Sequence, residues 1–248
     1  MPVEADAFAA LATDTVAYNA AGLTFHEGAV AERRVAWCVV GAGAEAARRG
    51  TRLLIDGHRP RRILTAGFAG GLAPGLARGV VVSPRRVVSH TGEPSIECAP
   101  TGQGASATDA GGLTIVSVDR VVTTAAAKRE LAATTGASLV DMETYAVASV
   151  AQAAGLACVS IRVISDDASQ DLPKEIASLV QPQSGMRRLG AALGAIGRRP
   201  RAALDMWHLW EHAVVDGRTL AGAIERFLHG LSDSPSAVSR PDSSEDPQ

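Results

Sequence analysis

Two stretches carry residues whose types and spacing could do chemistry. The first, Leu139-Val-Asp-Met-Glu-Thr-Tyr-Ala-Val-Ala148, runs an apolar strand into two carboxylates, Asp141 and Glu143, where a helix begins. The second, Arg162-Val-Ile-Ser-Asp166, ends another apolar strand in Ser165, Asp166 and Asp167. If the two strands run parallel, the acids stand at neighbouring carboxyl ends, where open α/β sheets bind ligands. Paired carboxylates are suited to acid–base work and to stabilising a developing positive charge. The alternative for Asp141 and Glu143 is a helix cap, with acids favoured by the dipole, and these residues alone leave it open.

The elements that must position these groups read as an alternation of strands and helices. A helix is expected over residues 2–14, with Ala5, Phe8 and Leu11 at helical spacing. A short strand over 23–32 and a core strand over 35–40 follow, then a helix over 44–55 closed by Asp56-Gly57. The pattern predicts strands at 62–66, 80–88 (interrupted by Pro84), 113–122, 139–142 and 157–164, and helices at 125–134 and 144–154. Residues 91–112 are rich in Gly, Ser, Thr and Pro and read as a long loop. Residues 186–230 read as helical with a break at Pro200, and 231–248 as a polar, disordered tail. The fold class is therefore α/β: a three-layer sandwich around a mixed, largely parallel sheet, with a C-terminal helical extension. Residues 1–185 form the catalytic domain and 186–230 an extension of it.

Composition narrows the function. The chain has 248 residues, 46% of them apolar, and a formal net charge of −2. That favours one large domain and gives no electrostatic footprint for nucleic acid. Cys38, Cys98 and Cys158 are odd in number and widely spaced, as in a reduced cytoplasmic protein rather than a disulfide framework. No apolar run reaches membrane-spanning length. Gly41-Ala-Gly-Ala-Glu-Ala46 imitates a dinucleotide fingerprint, but the acid expected after the next strand is missing. Its amides are better suited to a sugar or anion at the helix N-terminus. Glycines in Gly67-Phe-Ala-Gly-Gly71 read as a strand-to-helix turn or as a place where a ligand approaches the backbone. His208 and His212 have zinc spacing without a third ligand, so a packed amphipathic helix is the better account. No metal or cofactor is expected.

Three motifs occur together in an order that resembles the nucleoside phosphorylase/nucleosidase superfamily: Ala69-Gly-Gly-Leu-Ala-Pro74, Val140-Asp-Met-Glu143 followed by Ala146, and Arg162-Val-Ile-Ser-Asp166. The pattern is nearest that of methylthioadenosine/S-adenosylhomocysteine nucleosidase over residues 1–170. The region after Asp171 is more similar to the hopanoid-associated phosphorylase branch. The resemblance implies that Asp166 protonates or hydrogen-bonds N7 of a leaving purine, Glu143 grips the ribose hydroxyls, and Met142 packs under the sugar. It implies that Glu4 activates a nucleophilic water and that Arg162 orients Glu4 and the water. Ser165, Val140, Gly70, Ala69, Phe68 and Val121 complete the implied substrate-binding set. Phe68 stands where nucleosidases carry a serine, and Val121 where they carry an aromatic that stacks on the base. Met1 falls on the methionine of the motif that holds Glu4, so the family's first strand is expected to be missing.

The function implied is cleavage of the N-glycosidic bond of a purine nucleoside. Hydrolysis of 5′-methylthioadenosine or S-adenosylhomocysteine by a cytoplasmic homodimer is the first expectation. Phosphate in place of water, adenosylhopane as substrate, and a catalytically impaired nucleoside-binding protein are the alternatives. The chemistry suits the residue types. The sugar becomes oxocarbenium-like, and the leaving base needs a proton. The acid's role requires Asp166 to carry a proton when substrate binds, through burial and the neighbouring Asp167.

Overall fold

The structure is a computed structural model that describes residues 2–101, 112–172 and 201–231. Its elements in chain order are α1 (Pro2–Ala9), β1 (Thr13–Ala20), β2 (Leu23–Val30), β3 (Arg33–Cys38), α2 (Ala44–His58), β4 (Arg62–Gly71), β5 (Val81–Val82), β6 (Arg86–Ser89), β7 (Ile96–Glu97), β8 (Thr114–Ser117), α3 (Ala125–Thr135), β9 (Leu139–Asp141), α4 (Thr144–Ala153), β10 (Ala157–Asp166) and α5 (Arg201–His229). Seven strands form one mixed sheet in the order β5-β10-β4-β9-β8-β6-β7. The longest ladder, β10 with β4, is parallel, as are β6–β8 and β8–β9.

Side-chain alternation along β10 sorts the core into two layers. Cys158 and Ile164 face Ala47 of α2 and Ala146, Val147, Ala148 and Ala151 of α4. Val159, Ile161 and Val163 face Phe8 of α1 and Leu220, Ala221, Ile224 and Phe227 of α5. The small alanines of α4 let that helix sit close on the sheet, while α5 buries a stripe at i, i+3, i+4 and i+7. Helix α3 covers Val116, Val118 and Val140 with Leu131 and Ala132. Its ends are set by side-chain chemistry: Thr124 Oγ1 accepts the Ala127 amide at 3.2 Å, and Gly136 closes it in the left-handed region at φ 66°.

Four sequence expectations change in the fold. The segment 35–40 is not a strand of the central sheet: β3 pairs with β2 in a separate antiparallel sheet, β1-β2-β3. The turns of that sheet, Ala21-Gly22 and Ala31-Glu32, have positive φ at both central residues. That is the hairpin geometry matched to strand twist, but only Gly22 advertises it in the sequence. Strand β1, exposed along nearly its whole length, offered no apolar alternation to read. The 80–88 strand is split at Pro84. Strand β5 pairs with β10 near one edge, and β6 pairs with β8 on the far side of the sheet, because proline cannot donate to a ladder. The sheet also does not keep β9 parallel to β10. β4 lies between them and runs antiparallel to β9, pairing Gly70 with Val140.

Residues 102–111 of the expected 91–112 loop, with residues 173–200 and 232–248, lie outside the described residues, and with them the expected break at Pro200 and the tail; in the described part of that loop Ile96–Glu97 form β7, paired with β6. Cys38, Cys98 and Cys158 are free. Burial pushes the Cys38 thiol up to about 11, so it is neutral at physiological pH. No described helix is long and apolar enough to cross a membrane.

Helix α2 yields a test of the packing. Gly→Ala inside a helix ordinarily gains about 1 kcal/mol. At Gly50 the new Cβ would stand 2.1 Å from Val40 Cγ1 and 3.4 Å from Cys38 Sγ. Valine is stiff at χ1, and overpacking costs about 1–3 kcal/mol, so the clash wins. Gly50→Ala is expected to lower the urea midpoint; an unchanged or raised midpoint would show that Val40 yields freely.

Candidate active site

The site is built where β10, β4 and β9 come together at one glycine. Gly70 is the register partner of Asp166 on one side and of Val140 on the other. A Cβ at Gly70 would lie 3.2 Å from both Asp166 Oδ2 and Val140 Cγ1, and one at Gly71 would lie 3.2 Å from the Asp166 carbonyl oxygen. The glycine run is therefore not a turn after a short strand: β4 continues through Gly71. Its missing side chains make room for the acid and its backbone. A break in the β10–β4 register between Ile164 and Asp166 re-aims the end of β10 at this spot.

Asp166 is buried, at 6% exposure. Ser165 Oγ lies 2.6 Å from Asp166 Oδ1 and 3.3 Å from the Ala69 carbonyl oxygen. Asp166 Oδ2 lies 2.5 Å from Lys128 Nζ. The charge beside the acid is thus a cation from α3, not the carboxylate of Asp167. Asp167 instead turns back on its own loop, accepting the Ser169 hydroxyl at 2.6 Å and the Ser169 amide at 2.8 Å. Those bonds hold its carboxyl below the usual range.

Beneath this lies a buried network. Arg162, 2% exposed, crosses β4 at its register partner Gly67. It donates to Asp141 Oδ2 from Nε at 3.3 Å and from Nη2 at 3.1 Å. It also donates to Thr65 Oγ1 at 2.7 Å, Thr144 Oγ1 at 2.5 Å and its neighbour's carbonyl, Ile161 O, at 3.1 Å. Asp141 in turn accepts the Ser117 hydroxyl at 2.6 Å, the Thr144 hydroxyl and the Thr144 amide at 3.0 Å. The carboxylate partner of Arg162 is therefore Asp141. Arg162 projects from the face of β10 that carries Cys158 and Ile164, whereas Phe8 of α1 packs on the opposite face. Glu4 lies in α1, and its side chain is outside the described residues.

The two acids that open α4 have divided their work. Asp141 serves the helix start and Arg162. Glu143 accepts the Gly43 amide at 2.6 Å on Oε1, so the anion at the N-terminus of α2 is the protein's own carboxylate. Met142 is half-buried and packs against the cluster of Val116, Val118 and Val140. Phe68 packs with the α1 and α5 side of the core, on the face opposite Thr65 and Ala69. Val121 sits half-buried in the segment between β8 and α3. The structure thus gathers Asp166, Ser165, Ala69, Gly70 and Val140, places Glu143 against α2, and sets Arg162 below them.

Lys128, Thr65, Thr144 and Ser117 were not singled out from the sequence. For Lys128 a signal existed: only Lys128 and Lys174 are lysine among 24 basic residues. Among the described residues no three of His, Cys, Asp and Glu gather as a metal site. His212 is exposed on α5, and the side chains of His208, Trp207 and Trp210 lie outside the described residues.

Two substitutions test this geometry. Asp141→Ala leaves the Arg162 guanidinium buried without its anion, a loss of about 3–5 kcal/mol. Urea unfolding should show it as a large drop in midpoint, and a drop below 1 kcal/mol would mean water reaches Arg162. Gly70→Ala should leave the fold intact by circular dichroism while displacing the Asp166 carboxylate by a few tenths of an ångström. Catalysis should then fall about 10-fold or more with little change in melting temperature.

A family model described as the phosphorylase superfamily matches residues 1–109 and 110–193. Over 90 residues the chain is 32% identical to the 5′-methylthioadenosine/S-adenosylhomocysteine nucleosidase of Actinobacillus succinogenes, a match covering 36% of this chain and 39% of that protein. The structure is similar to that of the 5′-methylthioadenosine/S-adenosylhomocysteine nucleosidase of Streptococcus pneumoniae with a transition-state inhibitor, at TM-score 0.72 and 20% identity, covering 94% of this chain and 96% of that one. It is equally similar to the futalosine hydrolase of Helicobacter pylori, at TM-score 0.71 and 18% identity, covering 93% and 95%. The likeness to these structures is one of fold, and the family match spans most of the sequence: the chain belongs to the phosphorylase superfamily.

Proposed function

We propose that this protein cleaves the N-glycosidic bond of a purine nucleoside, with 5′-methylthioadenosine or S-adenosylhomocysteine as substrate and water as nucleophile. The observation that carries the reading is the convergence at Gly70 of a buried Asp166, with Ser165 on one oxygen and Lys128 at the other, beside Val140 and the start of α4. Asp166 gives its proton to N7 as the C1′–N9 bond breaks, and the bonding pair leaves with the base. Glu143, tethered to Gly43, holds the ribose hydroxyls and Met142 packs beneath the sugar. Negative charge beside an oxocarbenium-like sugar stabilises the transition state. Water adds to C1′ and loses its proton to a carboxylate, the role proposed for Glu4. Ala69 and Ser165 border the base and sugar, Phe68 closes the α1 side of the sheet near them, and Val121 offers an apolar contact in place of an aromatic.

Arg162 enters this reading as a support: it orients the site through Asp141 and the start of α4. The catalytic unit is proposed to span residues 1–185 with 186–230 as its extension, and a homodimer is proposed on the family resemblance. The nucleosidase relatives favour water over phosphate. Futalosine and adenosylhopane share the purine and ribose that the proposed residues would grip, and differ at the 5′ position.

The test is adenine release from 5′-methylthioadenosine and S-adenosylhomocysteine, with and without phosphate, with futalosine and adenosylhopane as parallel substrates. Release of adenine and free 5-modified ribose, independent of phosphate, is expected, and Asp166→Asn should lower it at least 10²-fold. Release that requires phosphate would overturn the choice of water. Ligand-induced thermal stabilisation without release would mark a nucleoside-binding protein instead.

A further inference from the structure

Lys128 is the most unusual charged residue in the described fold. Its side chain is 0% exposed, deep in the layer between α3 and the end of β10. Its ammonium donates to Asp167 O at 2.6 Å and Gln170 O at 3.0 Å and stands in ion-pair contact with Asp166 Oδ2 at 2.5 Å, a buried oxygen that no hydrogen bond satisfies. Burying a lysine is costly even when it is paired, and this one lies in the first turns of a helix, where a positive charge opposes the dipole. A merely structural tie between α3 and the 166–172 segment exists without it. The Ala125 amide donates to Asp171 Oδ1 at 2.7 Å, and the Leu172 amide donates to Thr123 O at 2.7 Å. A methionine at 128 would fill the same space at lower electrostatic cost. The residue is also a lysine in a chain whose basic residues are otherwise almost all arginine, and its compact ammonium, unlike a planar guanidinium, acts as a point charge beside the Asp166 carboxylate.

We infer that Lys128 is a positioning residue for the acid of this site: its ammonium fixes the Asp166 carboxyl over Gly70 and stabilises the negative charge that develops on it as its proton passes to the leaving base. The inference rests on the nucleosidase reading of Asp166. In that step the Asp166 O–H bond breaks, the N7–H bond forms, and the electron pair left on the carboxylate faces the Lys128 charge at one oxygen and the Ser165 hydroxyl at the other. Lys128 itself gives up no proton. A preorganised charge of this kind in a water-excluded place acts on the transition state more than on substrate binding.

The experiment compares wild type, Lys128→Met, Lys128→Gln, Asp166→Asn and the double variant Lys128→Met/Asp166→Asn, following adenine release from 5′-methylthioadenosine. Lys128→Met should lower kcat on the order of 10²-fold with KM changed less than 3-fold. Lys128→Gln, which keeps an uncharged donor, should lose kcat by a similar factor, because it is the charge that acts. In the Asp166→Asn background, Lys128→Met should cost little more, since both act through one group. A loss carried by KM rather than kcat, full activity in Lys128→Gln, or losses that multiply would overturn the inference while leaving the nucleosidase reading standing. Should wild type release no base, that reading fails by itself, and urea unfolding of the same variants then decides the pairing. Each single variant strands one buried charge, so the double should be destabilised less than the two singles combined; additive losses would sink the pairing as well.

Discussion

The ion pair between Arg162 and Asp141 is the constraint on which the rest of the structure depends. It joins residues of β10 and β9 across β4, and its hydroxyl partners come from β4, β8 and α4. Burying two charges is not in itself a source of stability, because desolvation offsets most of the Coulomb attraction. What it supplies is register. A one-residue slip of any of these strands would turn a charged side chain to the opposite, apolar layer. Gly67 allows the crossing, since no side chain stands on β4 where the guanidinium passes.

The functional groups hang from this frame at different distances. Asp141 ends β9, so the start of α4 is held in place, and Glu143 two residues later reaches the amide of Gly43, the N-cap of α2. Asp166 ends β10 past a register break, four residues beyond Arg162, and is met by Lys128 from α3. Acidic residues that look equivalent in the chain therefore take separate parts. Asp141 is locked with Arg162, Glu143 accepts the amide at the N-cap of α2, Asp166 is buried against a cation, and Asp167 folds back onto Ser169.

Glycine plays the matching role on the backbone side. Gly70 and Gly71 remain in strand conformation and give their space to Asp166 rather than to a turn. Gly50 does the same for α2 against Val40. In both places the residue is needed for close approach and not for an unusual φ.

The sequence by itself determined the element types around the site, because apolar runs of 4–8 residues and alanine-rich helical stretches carry their own periodicity. It also pointed to the superfamily, through motifs around Glu143, Arg162 and Asp166 whose spacing is local. Residues 125–135, 139–141, 144–153 and 157–166 were legible on these grounds. Tertiary structure decided the pairings. That Arg162 meets Asp141, that α1 packs on the other face of β10, that β9 runs antiparallel to β4, and that Lys128 reaches Asp166 from 38 positions earlier in the chain all depend on strand order and face. None of these has a local signature, since a buried lysine and an exposed one look alike in a helix until the sheet beneath it is known. The Asp141–Glu143 and Arg162–Asp166 stretches were visible from the start as two acidic strand ends; only their packing showed that Asp141 is locked with Arg162 while Asp166 stands buried beside Lys128.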